Sequence, residues 1–181
     1  MKTLVLDIET KESFTEIGDK NPEKLHLSLI GAYFYPEDKY FSFKENELWH
    51  FWSLFEKAEL LVGHNILGFD LPVLKKYYQK NFQGIEVFDI MKETEKNLGF
   101  RPKLDDLARG TLGKEKSGDG LKAIELYRSG KWQELINYCL DDVRLTKEIF
   151  DHIKEFGYVV YPGILGKEKI KIKSPLLARV K

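Results

Sequence analysis

Hydrophobic and polar positions in the first part of the chain predict three consecutive strands. Residues 4–10 alternate between apolar and other side chains with a period of two, which is typical of a strand. Apolar and aromatic runs at 29–34 and 40–43 flank a turn at 36–38. We therefore expect a hairpin that continues antiparallel from the first strand, after a polar loop at 11–27.

The later segments predict helices interleaved with two more short strands. Strands are expected at 60–62 and 85–89, helices at 45–57, from Leu71, and at 90–97, 104–112, 120–129 and 131–156, and a charged loop at 113–120. This order predicts an α/β fold with a mixed central sheet, three antiparallel strands being followed by parallel strands, and helices on its flanks. We expect one domain at 1–157. Residues 158–181 should add a basic extension, or a hairpin of 158–161 and 169–173 around Pro162-Gly163, packed on the same domain.

Composition narrows the classes of protein. The chain has 181 residues, enough for a core without disulfides, and its formal net charge of zero excludes a strong overall basic field. Any nucleic-acid binding must then depend on a local patch or a bound metal. Cys139 is the only cysteine, which excludes a disulfide framework and a cysteine-based zinc site. Without a signal-like or membrane-length apolar run, we expect a cytoplasmic protein that has no membrane partner.

Two carboxylates share one face of the first predicted strand. Asp7 and Glu9 lie two residues apart, so their Cα atoms should be roughly 7 Å apart on the same side. Like charges at this spacing repel each other unless a cation lies between them. The pair therefore predicts half of a site for a divalent metal ion.

The last long helix carries a third acid in an apolar stripe. The stripe consists of Leu135, Tyr138, Asp142, Leu145 and Ile149. A carboxylate that faces inward is costly unless it is paired with a cation or binds a metal. A buried ion pair with Arg or Lys is the alternative interpretation of Asp142. Tyr138, one turn earlier, can reach the same site, whereas Asp141 should be a solvated surface charge.

A further group of polar residues follows the strand at 60–62. Asn65 has an ordinary interpretation as a turn residue, and Asp70 has one as the N-cap of a helix. Both residues follow the short strand at 60–62, which could lie beside the strand at 4–10. They are therefore also candidates for the site that contains Asp7 and Glu9.

Three motifs in this chain resemble those of a known enzyme superfamily. Asp7-Ile8-Glu9-Thr10 resembles the first motif of the DEDD superfamily of 3′–5′ exonucleases, which have a ribonuclease H-like fold. His64-Asn65 with Phe69-Asp70 resembles the second, especially in the proofreading exonuclease of family B DNA polymerases. Tyr138-Cys139-Leu140-Asp141-Asp142 resembles the third motif of the tyrosine subgroup, DEDDy. The stretches 104–108, 112–113 and 116–118 are also similar to stand-alone YprB-like ribonuclease H-like proteins.

The resemblance implies a metal-dependent 3′–5′ exonuclease for single-stranded DNA or RNA. Asp7, Glu9, Asp70 and Asp142 would hold two divalent metal ions, Mg²⁺ or Mn²⁺, with Asp7 as the bridge, and carboxylates are hard ligands that suit both. Tyr138 would orient the attacking water, because an ordinary phenol is a poor base at neutral pH.

The remaining roles implied by the resemblance concern substrate and partners. Thr10 would donate to the 3′ end, and Asn65 would contact the terminal nucleotide or order its loop. Phe69 would pack under the site, which is the preferred role, or wedge against the last base. The partners would be the 3′ ends of single-stranded DNA or RNA, within a larger repair, replication or RNA-processing assembly. The alternatives are a weakly active or inactive nucleic-acid-binding or assembly module with the same fold, and a metal-dependent endonuclease.

Basic residues could guide the substrate, but an amphipathic helix explains the first cluster equally well, and a solvated surface is the preferred interpretation of each cluster. They are Lys75 to Lys80 with its interleaved tyrosines, Lys114, Lys116 and the run Lys167 to Lys173. His64 has no second histidine at a ligand spacing, so we do not expect it to bind metal. Cys139 is expected to be a small helix residue and not a nucleophile.

Overall fold

One mixed sheet dominates the part of the chain that the structure describes. This computed structural model describes residues 1–80, 82, 84–115, 120–163 and 166–180. The strands are β1 (Thr3–Thr10), β2 (Leu27–Phe34), β3 (Lys39–Lys44), β4 (Leu60–Gly63) and β5 (Glu86–Asp89), in the order β3-β2-β1-β4-β5. The first three pair antiparallel, and β1, β4 and β5 run parallel. The predicted mixed α/β sheet is confirmed.

Helices cover both faces of this sheet. Their bounds are α1 (Phe14–Ile17), α2 (Leu48–Phe55), α3 (Asp70–Leu74), α4 (Ile90–Leu98), α5 (Leu104–Leu112), α6 (Gly120–Arg128) and α7 (Trp132–Phe156). Within the described residues, no helix is long and apolar enough to cross a membrane.

The alternation in β1 separates two cores. Leu4 and Leu6 pack with α2 and α3 on one side, whereas Val5 packs with α5 and α7 on the other. Successive side chains of a strand point to opposite faces, so Asp7 and Glu9 follow Val5 to the side of α7. The helix with the third predicted acid therefore packs on the face that carries the first two.

A glycine lets α7 approach the sheet closely beside Asp7. Gly31 of β2 is the cross-strand partner of Asp7. A Cβ atom at Gly31 would lie 2.8 Å from Cys139 Sγ and 3.0 Å from Val143 Cγ2, both on α7. Real Cβ atoms rarely come so close, so this helix–sheet spacing requires glycine.

The predicted loop at 11–27 is wrong in part, because it contains α1 and a 3-10 turn at Pro22–Lys24. A capping box holds the short helix: the Glu16 N–H donates to Ser13 Oγ at 3.3 Å, and the Ser13 N–H donates to a Glu16 carboxylate oxygen at 2.8 Å. The Ser-x-x-Glu spacing was a readable signal for this helix.

Two other element boundaries differ from the prediction. The helix expected over 45–57 is a 3-10 turn at Glu45–Glu47 followed by α2. The terminal hairpin is β6 (Tyr158–Gly163) and β7 (Gly166–Lys171), so Pro162 lies in a strand opposite Lys167 and not in the turn. Proline has no backbone N–H, and it is tolerated there because each strand of a two-stranded hairpin has an outer edge with no neighbouring strand to receive one.

The hairpin packs on α5. Thr111 Oγ1 accepts a hydrogen bond from the Val160 N–H at 2.9 Å, and a Cβ at Gly110 would lie 2.0 Å from the Val160 carbonyl oxygen. The division into 1–157 and 158–181 stays a prediction. Lys116, Ser117 and Gly118 of the predicted loop lie outside the described residues, and Gly120 already begins α6.

Candidate active site

A cavity of about 830 Å³ opens where β1, β4 and β5 end. Such carboxyl ends of parallel strands meet at one edge of a sheet and often carry ligand sites. The cavity brings together all the site residues predicted from the sequence. They are Asp7, Glu9, Thr10, Asn65, Phe69, Asp70, Tyr138 and Asp142. They come from β1, the segment around the start of α3, and α7.

The carboxylates of β1 lie directly beside α7. One ligand atom from each of Asp7, Glu9 and Cys139 lies within 4.8 Å of the others. The Cys139 thiol is 3.6 Å from the Asp7 carbonyl oxygen and 3.9 Å from its Oδ2. Asp142 is 2% exposed, as its place in the apolar stripe predicted, whereas Asp141 pairs with Arg144 at the surface, at 2.6 Å.

Cys139 remains a thiol in this environment. Its complete burial raises its pKa well above the usual range, and the charges of Asp7, Glu9 and Asp142 raise it further. A thiol is a poor ligand and a poor nucleophile. The donors that remain are carboxylate oxygens, which suit a hard divalent cation.

Asp70 contacts the backbone of β1. Pairing between β1 and β4 reaches Val5, and beyond it Asp70 Oδ1 accepts a hydrogen bond from the Ile8 N–H at 3.1 Å. Asp70 is the first residue of α3 and Phe69 holds the cap position, so the N-cap interpretation of Asp70 is wrong.

The surroundings of Asp70 disfavour its charged form. Burial raises the pKa of Asp70 to about 7, and the nearby charge of Asp89 adds to this effect. Hydrogen bonds from the backbone N–H groups of Asp70 and Ile8 act in the opposite direction. A bound cation would favour the ionised form of this buried carboxylate, so the residues fit a metal site.

Asn65 forms the turn that its alternative interpretation predicted. Its φ of 64° is left-handed, and its carbonyl accepts hydrogen bonds from the N–H groups of Gly68 and Phe69 at 3.0 and 2.9 Å. A Cβ at Gly68 would lie 2.4 Å from Asn65 Oδ1. Glycine in this position therefore lets the turn close tightly.

Asp89, which the sequence analysis missed, holds this turn in place. Its buried carboxylate accepts hydrogen bonds from the N–H groups of Asn65, Leu67 and Lys92 at 2.9, 3.1 and 3.2 Å. The last of these caps α4. An Asp between a buried strand and a helix was a signal for the cap, but not for the contact with the turn.

Thr10 and Phe69 line the cavity with local partners of their own. The Thr10 hydroxyl donates to the Glu12 carbonyl at 2.9 Å, so donation to a 3′ end would require this bond to break. Phe69 packs edge-on against Phe14, with ring centroids 6.0 Å apart. Contact of either residue with a substrate stays a prediction.

Comparison with known proteins agrees with this geometry. A family model described as the RNase H superfamily matches residues 4–154. The chain belongs to the RNase H superfamily. A comparison with curated proteins finds no match. Among solved structures, the RNase H-like fold is similar to the family B DNA polymerase from the hyperthermophilic archaeon Pyrobaculum calidifontis, with a TM-score of 0.65 and 19% identity. The match covers 84% of this chain but only 24% of the polymerase chain.

Membership in the RNase H superfamily supports a nuclease-like function with a nucleic-acid substrate. Nucleases of this fold generally use divalent metals, and the Asp7–Glu9 cluster offers a place for one. The assignment to the DEDDy subgroup stays a prediction.

The lining of the 830 Å³ cavity includes basic residues that the sequence analysis missed. Arg101 and Lys103, in the segment between α4 and α5, are among them. Lys122 of α6 places its Nζ 5.9 Å from the centroid of the Tyr138 ring. Arg101 also pairs with Glu95 at 3.3 Å, and the sequence around these residues shows no longer basic run that would have pointed to them.

Lysines of two basic clusters proposed from the sequence form surface ion pairs, whereas the lysines of the run Lys167 to Lys173 are exposed on and after β7. Lys75 and Lys80 pair with Glu23 and Glu56, each at 2.7 Å, and Lys114 pairs with Glu148 at 2.6 Å. The nearby tyrosines pack against the core on the side of α2. Of the proposed loop lysines, Lys116 lies outside the described residues.

Proposed function

We propose that the protein is a metal-dependent 3′–5′ exonuclease that hydrolyses phosphodiester bonds at the 3′ end of single-stranded DNA or RNA. The observation that carries the proposal is the convergence of four acids and a tyrosine on one cavity. Asp7, Glu9, Asp70, Tyr138 and Asp142 are spread over most of the chain, yet all line this cavity.

The four acids are proposed to hold two divalent ions, Mg²⁺ or Mn²⁺. Asp7 would bridge them, Glu9 and Asp142 would complete one site, and Asp70 would serve the other. Such a pair supplies charge stabilisation for the attacking and the leaving oxygen of an in-line displacement at phosphorus. Before loading, the buried acids repel a polyanion, so substrate binding should also depend on metal.

The protein's own groups have positioning roles in this proposal. The hydroxyl of Tyr138, on the helix that carries Asp142, would orient the attacking water. Asn65, Thr10 and Phe69 would hold the terminal nucleotide, with Asp89 fixing the turn that presents Asn65. Association with a larger nucleic-acid-processing assembly and a cytoplasmic location stay predictions.

One experiment tests the activity and its direction. Single-stranded DNA and RNA labelled at either end are incubated with the protein in Mg²⁺, Mn²⁺ or EDTA, together with Asp142→Asn. Asp141→Asn is the matched control, because this neighbouring acid points to the surface and pairs with Arg144. We expect metal-dependent shortening from the 3′ end, lost in Asp142→Asn and retained in Asp141→Asn.

Other results would replace the proposal. Binding without cleavage in either metal would identify a binding module. Internal cuts in oligonucleotides with blocked 3′ ends would identify an endonuclease. Shortening from the 5′ end would refute the proposed direction.

A further inference from the structure

We propose that a second cavity binds an internal nucleotide of the strand whose 3′ end lies at the carboxylates. This cavity has a volume of about 310 Å³, and its lining includes Lys11, Ser28, Lys44, Glu45, Tyr127 and Trp132. Ligand pockets begin at about this size, which suits one nucleotide better than a larger ligand. The proposal rests on the proposed function and extends it from the 3′ end to the body of the strand. We call this cavity the upstream subsite.

Two aromatic rings in the upstream subsite offer a surface for a base. Tyr127 lies in the last turn of α6 and Trp132 begins α7; both are half-buried, and their ring centroids are 5.6 Å apart in an edge-to-face arrangement. Every base has a π-face, so stacking on an aromatic side chain binds single strands with little sequence preference. A subsite of this kind suits an exonuclease that must accept any sequence.

Two lysines beside these rings provide positive charge. Lys44 Nζ is 4.4 Å from the Trp132 centroid, and Lys11 Nζ is 5.9 Å from the Tyr127 centroid. Glu45 pairs with Lys11 at 2.5 Å, so the lining combines two ammonium groups with one carboxylate. The excess of one positive charge, beside rings that can stack a base, matches a phosphate attached to a nucleoside.

A buried hydroxyl in the upstream subsite points independently to a ligand. The β1–β2 register shifts between Glu9, which pairs with Leu29, and Thr10, which pairs with Leu27, so Ser28 is the extra residue of a β-bulge. Ser28 is 1% exposed, and within the described residues its hydroxyl has no hydrogen-bond partner. Buried polar groups normally have a partner, and a ligand in this cavity would supply one.

The upstream subsite borders the candidate active site along two elements. On β1, Thr10 lines the large cavity and the next residue, Lys11, lines the small one. On α6, Ile124 lines the large cavity and Tyr127, about one turn later, lines the small one. A strand that leaves the carboxylates can therefore enter the upstream subsite within a few nucleotides.

Binding as a function of oligonucleotide length tests this inference. Fluorescent oligo(dT) and oligo(U) of 2, 4, 8 and 12 nucleotides, with phosphorothioate linkages at the 3′ end that resist cleavage, are titrated by anisotropy in Mg²⁺ against the protein with its carboxylates intact. Trp132→Ala should weaken binding of the 8-mer by about 5- to 150-fold, the range for loss of one stacked base, and leave the dinucleotide unchanged. Trp49→Ala is the matched control, because Trp49 is 65% exposed on α2, and it should change neither.

A second variant keeps the test decisive if Trp132→Ala fails to fold. Lys44→Gln retains the aliphatic stem and should lower the slope of log affinity against log salt by about 0.7, the value for one phosphate contact on a single strand. Lys57→Gln, at a surface ion pair with Glu37, should leave the slope unchanged. Equal affinities and slopes for the subsite variants and their controls at every length would overturn the inference.

Cross-linking and cleavage separate failure of the subsite from failure of the proposed function. Oligonucleotides with a single 5-iodouracil at successive distances from the 3′ end should cross-link Tyr127 or Trp132 from one internal position and not from the 3′-terminal one. If wild-type protein shortens 3′ ends but neither residue is labelled, the subsite is wrong and the exonuclease stands. If either residue is labelled and nothing is cleaved, the subsite stands and the exonuclease is wrong.

Discussion

Replacing Gly31 by alanine should damage the active site by moving the helix that carries two of its groups. The new Cβ would lie 2.8 Å from Cys139 Sγ, 3.0 Å from Val143 Cγ2 and 3.4 Å from the Cys139 carbonyl carbon. The two closest contacts are about half an ångström short of ordinary van der Waals separation. Because the strand lies inside the sheet, α7 must give way, and it carries Tyr138 and Asp142.

The expected magnitudes follow from this overlap. Overpacking a core by one methyl group typically costs about 1–3 kcal/mol, and alanine recovers about 0.5–1 kcal/mol of it because glycine is unfavourable in a strand. The net loss in the free energy of unfolding then lies between about 0 and 2.5 kcal/mol, and we expect about 1 kcal/mol. A displacement of 1 Å at a reacting group can cost about 100-fold in rate, so a shift of half that size should lower kcat/KM by about 10-fold.

The assay combines urea unfolding with initial rates of 3′-end cleavage in Mg²⁺. Gly31→Ala is compared with Cys139→Ala and with the double variant, in which the nearest clashing atom is absent. The double variant should recover at least half of the lost activity, which a double-mutant cycle measures as coupling. Gly110→Ala serves as a control, because it overlaps the Val160 carbonyl of the hairpin and so destabilises a contact that does not involve α7.

Two results would refute this reasoning. Unchanged activity in a destabilised Gly31→Ala protein would mean that the position of α7 does not limit catalysis. Equal loss in Gly31→Ala and in the double variant would mean that Cys139 Sγ does not transmit the displacement. Gly110→Ala should lose stability while the folded protein keeps its rate.

Three further predictions concern the turn, the metal and the pH dependence. Asp89→Ala leaves three backbone N–H groups without their acceptor, so we expect a loss of about 2–4 kcal/mol in urea unfolding and a lower cleavage rate. Mg²⁺ at 100 times the Kd of a site should add about 2.7 kcal/mol to the free energy of unfolding for each site that it fills, and Asp7→Asn should lose most of this gain. Burial alone would raise the pKa of Asp151, but hydrogen bonds from Lys147 and Lys154 outweigh it and lower the pKa. The resulting stabilisation is present above about pH 4 and disappears as the pH falls further. The difference in free energy of unfolding between wild type and Asp151→Asn should therefore shrink as the pH is lowered.

Each of these predictions has its own control. Asp141→Ala removes a surface carboxylate on α7 and should change stability far less than Asp89→Ala; equal losses would contradict the role given to Asp89. Na⁺ at matched ionic strength should not reproduce the Mg²⁺ stabilisation, and an undiminished Mg²⁺ gain in Asp7→Asn would move the site elsewhere. A gap between Asp151→Asn and wild type that stays constant from pH 6 to pH 2 would show that this carboxylate does not gain stability from its lysines.

The sequence predicted what depends on periodicity. The two-residue alternation placed Asp7 and Glu9 on one face of β1, and the three- and four-residue spacing placed Asp142 in the buried stripe of α7. Both patterns are local consequences of backbone geometry. Since the three motifs also lie near strand ends or on one helix face, their meeting at one sheet edge followed from the fold.

What the sequence did not predict depends on contacts between distant segments. The carboxylate of Asp89 accepts from a turn more than twenty residues earlier, and only the fold brings the two together. Gly31 is a single glycine in a strand, and the need for glycine there becomes clear only when α7 is packed against it. The bulge at Ser28 shifts the register by one residue, which no alternation in a short apolar run reveals.

The hydrogen bond between Asp70 and the Ile8 amide makes a backbone group a reporter of the candidate metal site. The proton of this amide points at a carboxylate oxygen that a cation would also attract, at a donor–acceptor distance of 3.1 Å. Loading of the site would therefore shift the Ile8 amide resonance in a ¹⁵N correlation spectrum without any label on the ligands. The strand that presents Asp7 and Glu9 would thus report, through its own main chain, when a cation binds at Asp70.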